Sequence, residues 1–356
     1  MEKIEEIYIN FGIASFAKIE MTKLAKITSL NFSHDIFTKM LLQDDTYNEK
    51  KLWKEVKPFL RNYENNDDGC IVIDDTILNK PHTKMSNIVC YHFDHTVGKS
   101  IKGIAMLNFH YTDSTGISIP LGYEIISKTE QVWDRKKKKF VKKSLFTKNE
   151  IMRDKLAILH NFNQVKYRYI LFDKWFTNTE NLVFIDEVLG KKFVAPLKKN
   201  RLVALTLEDK INGNYVSIDD VDIGSCSSRL VFIKGYKKPL KVTKQVFKNG
   251  DDDESTYLYL VTNDTTLSPK RILEIYKRRW KIEEYHKSLK QNMKIEHSPT
   301  KVEKSQRNHI FLSVCGFIKL EKFRLNYNMN HFSIKEKIYI EALQITYQKV
   351  EELQIA

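Results

Sequence analysis

The chain has 356 residues, of which 42% are hydrophobic and 12% aromatic, enough apolar side chain for two or three core-bearing units and too much for a disordered protein. Its formal net charge of +14 favours a polyanionic partner through counterion release, with a lysine-rich composition as the competing explanation. No run of eighteen apolar residues occurs, and the opening "MEKIEEIYINFG" has neither the basic nor the apolar segment of a secretory signal, which argues against a membrane and leads to the expectation of a cytoplasmic protein.

Residues 1–65 read as helical, with apolar spacing at Phe11, Ile13, Phe16 and Ile19 followed by "MTKLAKITSLNFSHDIFTKMLLQ" and "EKKLWKEVKPFL". A small DNA-binding or dimerising unit fits this region: a helix-turn-helix around Asn31 and Ser33 is one reading, and plain packing helices are the other. After the polar break "YENNDDG", residues 66–197 change to short β-rich runs. "CIVIDD" and "YRYILFD" are apolar runs ending in acids, "GIAMLNFHYTDSTGISIPLGYEIIS" reads as two strands around a turn, and two helical stretches and the strand "KKFVAPL" complete the unit.

Residues 198–264 alternate in hydrophobicity and look like an all-β insert. One long helix follows within 265–296, with Ser268 as N-cap and Pro269 in its first turn, and residues 297–356 are again helical. Cys70, Cys90, Cys226 and Cys315 form no C-x-x-C pair and read as core thiols. The densest group of potential metal ligands, Cys90, His92 and His95 in "CYHFDH", finds no second half elsewhere to complete a tetrahedral set.

A continuous apolar run bounded by Asp suggests a buried strand whose last side chain reaches the sheet edge, where ligands of α/β sheets usually sit. If the strands ending at Asp75 and Asp173 are parallel neighbours, their carboxylates converge, which is costly without a divalent cation. A loop-capping Asp at each strand end is the plainer alternative. Asp74 and Asp75 point to opposite faces, so one of them is the principal ligand, and the strand pattern does not choose.

In "ILEIYKRRWKIEEYHKSLKQNM", roughly 100° per residue puts Tyr276, Arg279, Glu283 and Lys290 within about 60° of one another. Ile275, Ile282, Leu289 and Met293 form an apolar stripe directly beside them. The helix can therefore pack on the sheet while presenting Glu283 at the margin, although an i,i+4 pair of Arg279 with Glu283 on a solvated face is the ordinary explanation. A third carboxylate would complete an acidic set for two Mg²⁺ ions, with Arg279 and Lys290 holding phosphates.

These residues resemble the DDE transposases with a ribonuclease H-like fold, and among them the insertion-sequence-four family, whose signature Tyr-x2-Arg-x3-Glu-x6-Lys is matched by Tyr276, Arg279, Glu283 and Lys290. "IVIDDT" resembles the family's first acidic motif with Asp75 before Thr76, and "LFDKWFTN" its second with Asp173. The likeness covers about 70–295, and the stretch between Asp173 and Glu283 fits the family's β-rich insertion. The resemblance implies an α/β fold: a ribonuclease H-like mixed sheet flanked by helices, with a β-rich insertion and helical N- and C-terminal regions. It implies Asp75, Asp173 and Glu283 as catalytic ligands of two Mg²⁺ ions, for which Mn²⁺ can substitute. Tyr276, Arg279, Lys290, Lys287 and Trp280 would contact DNA.

Cut-and-paste transposition would follow, with cleavage at the element ends and strand transfer into target DNA by a homodimer in a synaptic complex. The C-terminal helices would serve as contact surface, and the DNA-bound protein would be associated with the nucleoid. A nuclease or resolvase without strand transfer, and an inactive transposase-derived DNA-binding protein, are the other readings. Some relatives hold a flipped base with an aromatic of the insertion; no Trp lies there, which leaves Tyr257 or Tyr259, both also candidates for packing. The run "DRKKKKFVKK" at 134–143 reads as a DNA-backbone contact or as a solvated loop.

Overall fold

The computed structural model describes residues 2–27, 33–94, 97–135, 138–225, 227–248 and 255–355. Asn31, His95, Cys226 and two lysines of the basic run, Lys136 and Lys137, lie outside the described residues. Helices α1 (Lys3–Ala14), α2 (Met21–Ile27), α3 (His34–Leu41) and α4 (Glu49–Leu60) open the chain. Strands β1 (Cys70–Asn79), β2 (Cys90–Asp94), β3 (Lys99–Thr112) and β4 (Ile119–Ile125) follow, then a hairpin of β5 (Glu130–Asp134) and β6 (Lys139–Lys143). Next come α5 (Lys148–Ala157), β7 (Tyr169–Phe172), α6 (Thr179–Val183) and β8 (Lys192–Leu197). The insertion holds β9 (Leu202–Ala204), α7 (Leu207–Asn212), β10 (Val216–Ser217), β11 (Ser228–Ile233), β12 (Leu240–Lys248) and β13 (Ser255–Thr262). Helices α8 (Pro269–Lys277), α9 (Trp280–Gln291), α10 (Glu303–Tyr327) and α11 (His331–Ile355) close it.

One sheet runs in the order β10-β9-β11-β12-β13-β8-β7-β1-β3-β2, with β4 also paired to β3. Among the described residues, β1–β7 and β7–β8 pair in parallel, whereas β1–β3 and β13–β8 on either side of them are antiparallel. The apolar runs of β1 and β7 are buried because helices cover the centre of the sheet, where strands need no polar face. This is the mixed sheet flanked by helices expected of a ribonuclease H-like core. The insertion is not a separate sheet: β13 pairs antiparallel with β8, so its strands extend the central one.

The N-terminal helices share this core. In α4 the positions Leu52, Val56, Phe59 and Leu60 recur at helical spacing and are buried, and Asn48 caps the helix by accepting from Lys51 N. Tyr8 Oη lies 2.8 Å from His309 Nδ1 on α10, and Asn308 Nδ2 donates to Leu41 O at 2.9 Å. Ser33, half of the helix-turn-helix reading, is the N-cap of α3.

The helix expected as continuous from Ser268 is broken. After Lys277 the bonds Arg278 N to Ile275 O, Arg279 N to Tyr276 O and Ile282 N to Arg279 O are all of the tighter i→i−3 kind. The break falls where two adjacent arginines part: Arg278 reaches Asp68, with Nη2 2.8 Å from Oδ1, while Arg279 reaches Asp74. The apolar stripe survives it, since Ile275, Ile282, Leu289 and Met293 are all buried.

Candidate active site at the edge of the parallel strands

The parallel register pairs Ile73 of β1 with Phe172 of β7, so the next residues, Asp74 within β1 and Asp173 just past β7, come side by side. Asp173 turns the chain at once: its Oδ1 accepts from Trp175 N at 2.7 Å and its backbone oxygen from Phe176 N at 3.0 Å. One carboxylate oxygen thus does the loop-capping job anticipated for a strand-end Asp. Asp74 remains within β1, which continues to Asn79 in antiparallel register with β3.

The structure differs from the sequence reading in which acid of "IDDT" faces this edge. Strand alternation turns Asp74 and Asp75 to opposite sides. On the Asp74 side Arg279 Nη1 stands 3.3 Å from Asp74 Oδ2, and Nη2 of the same guanidinium is 2.5 Å from Glu283 Oε1. On the other side Asp75 accepts from Lys148 Nζ, with His92 close enough for the charges of Asp75 and Lys148 to act on it. Asp75 therefore sits in a small ion-paired group of its own, and Asp74 is the acid aligned with Asp173 and Glu283.

The electrostatics agree with this arrangement. Burial pushes the Asp74 carboxyl up to about 7; Arg279 opposes the shift, and the negative charges of Asp75 and Asp173 add to it. Tyr276, raised to about 12 chiefly by burial, feels Arg279, Asp173 and Asp74, and its ring lies 5.8 Å from the Arg279 guanidinium carbon. Four sequence-predicted residues, Asp173, Glu283, Tyr276 and Arg279, thus gather with Asp74.

The others lie elsewhere. Lys290 Nζ donates to Ile77 O of β1 at 3.0 Å and stands 3.7 Å from Glu296, which ties α9 along the strand. Lys287 lies 5.1 Å over the Phe332 ring of α11, and Trp280 is exposed. Tyr257 and Tyr259 both donate to Asp219 Oδ1 within the insertion, and Lys199 and Lys244 cover the Tyr257 ring.

Sequence reasoning missed the support behind the acids. Asn108 of β3 lies opposite Asp74 and meets His286 Nε2 of α9 at 3.0 Å. His286 is held down to about 3 by burial and by the charge of Lys290, so it is neutral at physiological pH and joins helix to sheet through a neutral bond. The only sequence signal for it is that His286 follows Glu283 by three positions, one helical turn.

The donor chemistry, three carboxylates, suits a hard divalent cation. Among the described residues, however, no group of three metal-capable side chains is gathered closely enough to hold an ion. Arg279 bridges Asp74 and Glu283 instead. The isolated pair of Cys90 and His92 finds no third ligand among the described residues either.

Residues 147–316 match the family model described as a transposase DDE domain, and residues 34–209 match that of the DDE superfamily endonucleases. Between them the matches span Asp74, Asp173 and Glu283. No curated protein matches the chain.

Proposed function

The chain belongs to the DDE transposases, and from that premise we propose that it cuts DNA at the ends of a mobile element and joins the freed 3′-hydroxyl groups to target DNA. The observation that carries the reading is the single bridge from Asp74 through Arg279 to Glu283, set beside Asp173 where the parallel pairing of β1 with β7 ends. Asp74, Asp173 and Glu283 would hold two Mg²⁺ or Mn²⁺ ions. When bound, such ions activate a water or 3′-hydroxyl and stabilise the leaving oxygen of an in-line displacement.

The chain's own residues supply binding and orientation. Arg279 is the internal counter-charge of the acids in the free protein; once turned outward it pairs bidentately with a backbone phosphate. Tyr276 limits where that guanidinium can swing. Lys290 and the Asn108–His286 bond keep α9 against β1, so that Glu283 stays level with Asp74. The protein would act in the cytoplasm, on the nucleoid; among the described residues no helix is long and apolar enough to cross a membrane.

The test is incubation of the full chain with Mg²⁺ and DNA carrying the ends that flank its gene. Nicked ends together with joined products are expected. Cutting without any joining would favour the endonuclease reading, and binding without cutting an inactive descendant.

Joining two ends calls for two protomers, and α11 offers a surface. Tyr339, Ile340, Leu343, Tyr347 and Val350 are all exposed along its outer part and recur at three- and four-residue spacing, as in a helix that pairs with a copy of itself. Leu343→Glu with Tyr347→Glu should convert a dimer to monomer in sedimentation while the core melts unchanged. A wild-type monomer both with and without DNA would remove this part of the proposal.

A further inference from the structure

The hairpin β5–β6 is a two-stranded sheet that, among the described residues, pairs with no strand of the central one. Such a ribbon is marginally stable alone in water, yet this one exposes its largest side chains: Trp133 is 51% and Phe140 66% exposed. They are direct cross-strand partners, stacked edge to face with ring centroids 5.1 Å apart.

Its two faces differ in charge. On one, Glu130 lies opposite Lys143, Val132 opposite Val141 and Asp134 opposite Lys139, so each cation faces an acid. On the other, Gln131 lies opposite Lys142 and Trp133 opposite Phe140, and no acid is present. Arg135 directly follows β5 and Lys138 directly precedes β6, just beyond the aromatic pair. An ordinary solvated loop has no reason to sort its charges in this way, and a purely apolar partner would not tolerate cations around the rings.

The ribbon is also anchored to the β2 edge of the central sheet. Lys128 Nζ, just before it, donates to Tyr91 O at 2.7 Å, and Lys142 Nζ to Asn87 Oδ1 at 3.3 Å. Shortly after β6, Lys148 holds Asp75, on the side of β1 opposite to Asp74.

We propose that β5–β6 is a DNA-contacting arm, which lays the Trp133–Phe140 pair against the sugars or bases of a strand while Arg135 and Lys138 hold its phosphates. Aromatic faces with flanking cations and no acid match a nucleic-acid strand, which offers apolar rings and an anionic backbone together. The inference rests on the reading of the protein as an enzyme acting on DNA, and it assigns part of that binding to a segment outside the catalytic sheet.

The test compares the full-length wild type with three double variants, W133A/F140A, R135Q/K138Q and K139Q/K143Q, by anisotropy of a labelled DNA duplex over a salt series. The first two should bind about tenfold or more weakly, and R135Q/K138Q should flatten the dependence of log K on log salt by roughly 1.8, about 0.9 for each phosphate that is no longer neutralised. K139Q/K143Q, which removes as much charge from the acid-paired face, should stay close to wild type. Equal losses in the two charge variants would reduce the arm to bulk electrostatics, and unchanged binding in all three would overturn it while leaving the transposase reading intact. Intact DNA binding with a smaller sedimenting species in W133A/F140A would assign the aromatic pair to a second copy of this chain instead. A wild type that binds no DNA at all would bring down the transposase reading itself, and the arm with it.

Discussion

Asp74→Asn should abolish end cleavage, by on the order of 10³-fold or more, equivalent to about 4 kcal/mol of transition-state stabilisation, while Asp75→Asn cleaves within a few-fold of wild type. The contrast follows from the two sides of β1. Asn keeps the shape of Asp74 but cannot carry the negative charge that a cation requires, and Asp74 is the acid joined through Arg279 to Glu283. The fold should survive the change, because burial already raises the Asp74 carboxyl to about 7 and a neutral side chain of the same size resembles its protonated form. Asp75→Asn weakens only a partly exposed bond to Lys148, at about 1 kcal/mol or less. Quantifying nicked product for both variants, alongside their thermal melts, decides the matter. A dead Asp75→Asn beside an active Asp74→Asn would sink the assignment of the first acid and the register argument behind it.

That assignment shows where sequence reading stops. The run "CIVIDDT" indicates a buried strand with acids at its end, and the parallel pairing of β1 with β7 makes that inference physically sound. Which of two adjacent acids faces the site depends on the phase of strand alternation, and a run apolar on both faces carries no phase information. The phase is set at long range, by Ile73 meeting Phe172 and by Arg279 arriving from the α8–α9 break more than two hundred residues away in the chain. The Tyr276, Arg279 and Glu283 spacing is local, spanning only the end of α8, the break and the start of α9, and it is legible for that reason.

The fold divides along the same line. Strands β1, β3, β4, β7 and β8 announce themselves by apolar runs, whereas the β5–β6 ribbon hides its alternation under lysines and reads as a loop. The break between α8 and α9 has no Gly or Pro to signal it; diverging ion pairs of Arg278 and Arg279 with Asp68 and Asp74 coincide with it. Nor could alternation alone reveal that the insertion continues the central sheet, since an edge pairing such as β13 with β8 leaves no local mark.

Arg279→Gln should separate the two duties of that residue. In the free protein its guanidinium is the counter-charge of Asp74 and Glu283, both within a partly buried site, and removing it leaves carboxylates facing one another. The loss should fall near 2 to 3 kcal/mol, below the 3 to 5 kcal/mol of a fully buried broken pair, because Asp74 can take up a proton instead of staying charged. Added Mg²⁺ should then raise the melting temperature of Arg279→Gln more than that of wild type, since the ion no longer competes with a resident cation for the same oxygens. Cleavage should nevertheless fall by roughly 10²-fold if, as proposed, the guanidinium is a bidentate phosphate ligand. Melting curves with Mg²⁺ or a chelator, set against cleavage rates, distinguish the two effects. A variant that is less stable, insensitive to Mg²⁺ and still fully active would mean that Arg279 is only a structural strut, and that the acids around it do not hold the ions.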